Sequence, residues 1–263
     1  MAAGRSLVIV ITGASRGLGA GMAEVYLKQG HKLGLCARSS KPSASFYSES
    51  SFDDHLLYQS VDVCDEHAVG SFLDAVVEKF GPIDMWINNA GILDPIQPIR
   101  NMSYEDFDRN MQINLGGVFK GTKAYINHVR SQPQSTPLKD ATLVNISSGA
   151  AQKGYAGWGA YSSGKGAVDR LTESAFLEET EDSSSSNTNF RAYAIAPGVI
   201  DTDMQVMIRS SSKEDFPMLD KFISIKEKDS FNSIPFVAKN ILELALKEGP
   251  QTLPVVQRFP NEK

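Results

Sequence analysis

The chain has only two cysteines, Cys36 and Cys64, in 263 residues. They form neither a disulfide scaffold nor a metal-ligand cluster, and they fit buried small hydrophobes in a reducing compartment. Histidine is scarce too. His31, His55, His67 and His128 make no H-x-H or H-x-x-x-H pair, so no metal is expected. Long apolar runs are missing. "SLVIVIT" at 6–12 is far too short to cross a membrane and no small-residue cleavage site follows it, so a buried strand is expected there. A basic excess is missing as well. The 26 Lys and Arg stand against 31 Asp and Glu, for a net charge of -5, whereas a general nucleic-acid binder is basic. A cytosolic (cytoplasmic) protein acting on small molecules is expected, with neither nucleic acid nor membrane as partner.

What is present is ordinary for a globular α/β chain, with 41% hydrophobic and 22% charged residues. The length suits one domain over 1–263 with a single large core. Short apolar runs at 7–11, 32–36, 55–61, 83–87, 141–146, 191–195 and 253–256 read as strands. Most are continuously apolar, as strands covered on both faces are. Helical patterns fall between them at about 18–29, 65–80, 104–130, 159–180 and 235–247. That alternation predicts right-handed crossovers and a doubly wound parallel sheet of the Rossmann type, about seven strands flanked by helices. The polar stretch 39–54 stands where another crossover helix could be. The segments 131–140 and 181–189 read as surface loops.

Directly after the first strand comes "TGASRGLG", Thr12 to Gly19. Gly13, Gly17 and Gly19 allow a tight turn and a close backbone approach to a pyrophosphate, and Ser15, Arg16 and Leu18 stand between them. The following helix start offers free N–H groups and the positive end of its dipole to an anion. The second strand ends in "CARSS", with Arg38 and Ser39 where an NAD-preferring site usually carries Asp or Glu. Arg16 and Arg38 could clamp the 2′-phosphate of NADPH, a reading favoured over Arg38 as a merely solvated strand-end charge.

Tyr161 and Lys165, in "YSSGK", are spaced i, i+4 and so are neighbours on one helix face. A free tyrosine has a pKa near 10. An adjacent ammonium is expected to lower it and suit Tyr161 to proton transfer.

Seven motifs stand in order: "TGASRGLG" at 12–19, "DV" at 62–63, "NNAG" at 88–91, "QIN" at 112–114, "NISS" at 145–148, "YSSGK" at 161–165 and "PGVIDT" at 197–202. In this order and spacing the chain resembles the short-chain dehydrogenase/reductase family over almost its whole length. The resemblance implies NADPH/NADP+ as cofactor and a catalytic set of Asn114, Ser148, Tyr161 and Lys165. Asn114 would hold a water in a proton relay with Lys165, and Ser148 would bind the substrate carbonyl. Ser147 competes for that role by position. Asp62 and Val63 would meet the adenine, while Asn89, Ala90 and Gly91 would line the cofactor. The backbone at Pro197, Gly198, Val199 and Ile200, with the Thr202 side chain, would contact the nicotinamide carboxamide. Tyr161 and Lys165 would touch the cofactor as well.

Within the family, "GWGAYSSGKGAVDRL" and "APGVIDTDMQ" resemble the sepiapterin reductase and benzil reductase branch, which reduces compact ketones and vicinal dicarbonyls. Trp158 would form an aromatic pocket wall or simply pack. Met204 and Gln205 would open a substrate lid at about 204–231. Animal sepiapterin reductases hold the pterin with an Asp after the last strand. Here Gln257 and then Arg258 stand in that region, with Glu262 a few residues on, which favours benzil-type diketones over a pterin. A regulatory NADP sensor without turnover is a further possibility, and the intact tetrad favours an enzyme. The long helices 104–130 and 159–180 stand where family members pair, so a homodimer or homotetramer is expected.

Overall fold

The computed structural model describes residues 5–39, 42, 44–133, 135, 138–181 and 188–262. Seven parallel strands form one sheet: β1 (Val8–Thr12), β2 (Lys32–Ala37), β3 (Leu56–Ser60), β4 (Met85–Asn88), β5 (Asp140–Ile146), β6 (Asn189–Ala196) and β7 (Val256–Arg258). Their spatial order is β3-β2-β1-β4-β5-β6-β7. The winding reverses between β1 and β4, and a crevice opens at the carboxyl ends of the strands there.

The flanking helices are α1 (Gly17–Lys28), α2 (Glu66–Phe80), α3 (Tyr104–Met111), α4 (Gly117–Arg130), α5 (Gly159–Glu181), α6 (Asp203–Arg209), α7 (Leu219–Glu227) and α8 (Ile234–Leu246). Alternate residues of a strand face opposite layers. Ile9 and Ile11 therefore pack with Met22 and Tyr26 of α1 and Val237 and Ile241 of α8. Val8 and Val10 pack with Phe72 and Val76 of α2 and Tyr125 of α4. With both faces covered, the central strands are mostly apolar, which is why their period-2 signal is weak in the sequence. A third cluster lies above the strand ends, where Trp158 and Tyr161 meet Ile208, Phe216, Leu219 and Phe222. Among the described residues, no helix is long and apolar enough to cross a membrane.

Three expectations need correction. The pattern at 104–130 is not one regular helix: a π-helical turn, Gln112–Gly116, joins α3 to α4. The described residues of the stretch 39–54 form no crossover helix but two 3₁₀ turns, Ser45–Ser48 and Ser50–Phe52. Aromatic packing holds them instead, with Phe46 buried, Tyr47 stacked on it at 4.2 Å, and the Tyr47 hydroxyl donating to the Ala14 carbonyl at 2.7 Å. The last strand begins at Val256, three residues later than its apolar run. Leu253 instead packs on the core from a loop, and Pro254 has no N–H to give a ladder. Most of the serine-rich loop expected at 181–189 lies outside the described residues, as does part of 131–140.

Candidate active site

The carboxyl ends of β1, β2, β4, β5, β6 and β7 deliver Gly13, Arg38, Asn89, Ser148, Pro197 and Arg258 to one cavity of about 700 Å³. Its floor at β1 depends on glycine. Gly13 has φ +67°, and a Cβ there would lie 2.7 Å from the Ala90 Cα. Asn89 fastens the two loops together: its Nδ2 donates to the Thr12 and Gly13 carbonyls at 2.9 and 3.1 Å. The α1 start has no side-chain cap and no acidic residue in its first turn. Its leading N–H groups are therefore available to an anion.

The residues expected around a dinucleotide converge on this cavity. Ser15, Arg16, Gly17, Leu18 and Gly19 line it from the first loop, and Ser39, Asp62 and Val63 from the strands beside it. Ala90, Gly91, Val199, Ile200 and Thr202 line it further in, as does Gly198. The two arginines differ. Arg16 reaches Asp203 at 3.3 Å, whereas Arg38 has no ion-pair partner among the described residues. A positive-φ glycine cradle, an uncapped helix start and two guanidinium groups fit a nicotinamide dinucleotide.

On α5, Tyr161 and Lys165 are both buried yet border the cavity. The Ser148 hydroxyl hydrogen-bonds the Tyr161 phenol, which favours the ionised form, but burial wins and holds the phenol above its usual pKa. This corrects the expected lowering. The Lys165 amino group donates to the Ile146 carbonyl at 2.7 Å and sits 5.8 Å from the Tyr161 ring centre. Burial pushes Lys165 down to about 8, with the Asp169 carboxylate pulling the other way.

The structure separates the two serines. Ser147 donates to Asp169, while Ser148 faces Tyr161. Asn114 lies behind the cavity wall, fully buried in the π turn. Its Oδ1 accepts from the Ile92 N–H at 3.0 Å, and its Nδ2 donates to the Ile92 carbonyl and to Asn110 Oδ1, both at 2.7 Å. That side chain is fully engaged in holding the wall.

The expected substrate residues Trp158, Met204 and Gln205 line the cavity. Trp158 is also stacked on Phe216 at 4.9 Å. Gln257 does not face the cavity; its amide donates back to the Pro254 carbonyl. Glu262 is spent on the Ser233 N–H at 2.6 Å, beside the start of α8. Arg258, adjacent to Gln257, is the tail residue in the cavity.

Sequence reasoning missed the support beneath the site. Trp86 Nε1 donates to Asn88, Asn88 to Asn145, and Asn145 to Thr172, at 2.8–2.9 Å. This chain ties β4 and β5 to α5. Asn232 was missed too: its Nδ2 donates to the Pro197 and Pro260 carbonyls at 2.9 and 3.0 Å, pinning the β6 loop to the tail. Asn88 and Asn145 open the motifs "NNAG" and "NISS", but Trp86, Thr172 and Asn232 stand in none of the motifs.

Residues 7–213 match the model of the short chain dehydrogenase family. The chain belongs to that family. This dehydrogenase is 32% identical over 248 residues to a benzil reductase ((S)-benzoin forming) of Bacillus cereus, covering 92% of this chain and 96% of that one. It is 33% identical over 196 residues to an NADPH-dependent pterin aldehyde reductase of Arabidopsis thaliana, covering 74% and 76% of the two chains. Among solved structures, the KRED1-Pglu enzyme superposes with a TM-score of 0.82 at 28% identity, covering 97% of this chain and all of that one. As a short-chain dehydrogenase it is an oxidoreductase that acts on CH–OH and C=O groups with a nicotinamide cofactor.

Proposed function

We propose that this dehydrogenase is an NADPH-dependent carbonyl reductase for small ketones and vicinal dicarbonyls of the benzil type. The carrying observation is the hydrogen-bonded Ser148–Tyr161 pair on the wall of a cavity that Arg16 and Arg38 also line. The benzil reductase of Bacillus cereus supports the substrate class, and the NADPH-dependent Arabidopsis enzyme supports the cofactor.

When bound, the cofactor supplies the hydride. Arg38 and Arg16 would hold its 2′-phosphate, and the α1 start its pyrophosphate. Ser148 hydrogen-bonds the carbonyl oxygen and stabilises the charge that grows there. Tyr161, kept protonated by burial, gives that oxygen its proton, which completes the alcohol. The Lys165 ammonium stabilises the phenolate that Tyr161 becomes and would hold the nicotinamide ribose. Asn114 acts by fixing the segment that ends in Ile92. Helices α6 and α7 form the lid at 204–231 over a single domain spanning 1–263, with Trp158, Met204 and Gln205 against the substrate.

A pterin side-chain ketone is the weaker reading, because the tail presents Arg258 to the cavity while Glu262 is engaged elsewhere. The test compares kcat/KM for benzil and for sepiapterin with NADPH. Benzil should be preferred, and a preference for sepiapterin above about tenfold, ~1.4 kcal/mol, would overturn the assignment. Tyr161→Phe should abolish turnover and keep NADPH binding. Binding without turnover in the unaltered protein would instead mark a sensor.

A further inference from the structure

Arg258 ends β7, an edge strand that pairs only with β6. Successive strand residues point to opposite sides, so Gln257 turns away as Arg258 turns to the cavity. The Arg258 guanidinium lies 3.6 Å from where a Cβ on Gly149 would stand. Gly149 follows Ser148 directly, so the guanidinium lies beside the residue next to the reacting serine, and both Ser148 and Arg258 line the cavity. Among the described residues, no acid or hydrogen-bond acceptor engages that guanidinium. Two carboxylates that line the cavity are engaged by other arginines: Asp94 by Arg109 at 2.6 Å, and Asp203 by Arg16 at 3.3 Å. Lys221 of the lid adds a further positive charge. The protein as a whole is acidic, at -5, so this is a local positive site within a negative molecule.

We propose that Arg258 is a specificity-determining residue that binds a carboxylate, and that the preferred substrates are ketones carrying a carboxylate group. A guanidinium presents paired N–H donors that match the two oxygens of a carboxylate, and a charge-assisted pair is stronger than a neutral one. An otherwise unengaged guanidinium loses no existing protein partner when such a substrate arrives. The proposal rests on the carbonyl-reductase reading and narrows its substrate class.

The experiment measures kcat/KM with NADPH for 3-benzoylpropionate and for its methyl ester, in the full-length protein and in Arg258→Gln and Arg258→Lys. The ester shares the ketone and differs in charge at the far end. The unaltered protein should prefer the acid. The acid-to-ester ratio should fall at least tenfold in Arg258→Gln and stay partly intact in Arg258→Lys. A preference for the ester, or an unchanged ratio in Arg258→Gln, overturns the proposal. If neither compound is reduced, the reductase reading fails, and a second arm still decides the role of Arg258. Benzoate should raise the melting temperature of the NADP+-supplemented protein and lose that effect in Arg258→Gln. Equal stabilisation of both proteins overturns the assignment.

Discussion

The Ser147 hydroxyl donates to the Asp169 carboxylate, four residues beyond Lys165 on α5. Two adjacent serines thereby take different tasks. Ser148→Ala should lower kcat by about 10²–10³-fold, the usual effect of removing a donor to a developing oxyanion. Ser147→Ala should keep most turnover and lose ~1–3 kcal/mol of stability, because a buried carboxylate loses its hydrogen bond. Urea unfolding beside steady-state kinetics separates them. A larger kcat loss in Ser147→Ala would reverse the roles.

Asp169 also bears on pH dependence. Lys165 acts as an ammonium, and burial pushes its pKa down to about 8 against the opposing pull of Asp169. Asp169→Asn removes that pull, so the Lys165 pKa falls further. The protonated fraction is then lost earlier as pH rises. The alkaline limb of the kcat/KM profile should move to lower pH, since that profile reports groups of the free enzyme. An unmoved limb would assign it to another group.

Arg38 has no ion-pair partner among the described residues, while Arg16 is engaged by Asp203. Arg38→Asp should therefore shift the NADPH-to-NADH ratio of kcat/KM by at least tenfold toward NADH. A carboxylate repels a 2′-phosphate and accepts ribose hydroxyl bonds. An unchanged ratio would transfer the role to Arg16.

Phe119 on α4 and Leu177 on α5 are each 48% exposed, and large apolar side chains on paired helices suit a subunit interface. We expect a homodimer or homotetramer in solution. Light scattering at micromolar concentration should give at least twice the chain mass, and Phe119→Asp should lower it. A monomer mass for the unaltered protein would refute this.

The sequence by itself determined the parallel sheet, the cofactor loop and the Tyr161–Lys165 pair. These depend on short-range regularities: continuous apolar strands, glycines at a strand–helix junction, and i, i+4 spacing on one helix. Each is a property of a few neighbouring residues and survives in any fold that contains them. The resemblance named Ser148 with Ser147 as competitor, and tertiary structure separated them by giving Ser147 to Asp169 and Ser148 to Tyr161. It also decided that burial outweighs the Ser148 hydrogen bond in setting the Tyr161 pKa, since burial is a property of the whole packed lid and core. The tail was decided there too. Near its end a shift of one residue exchanges Gln257 for Arg258 in the cavity, and only the pairing of β7 with β6 sets which side of the strand each side chain takes.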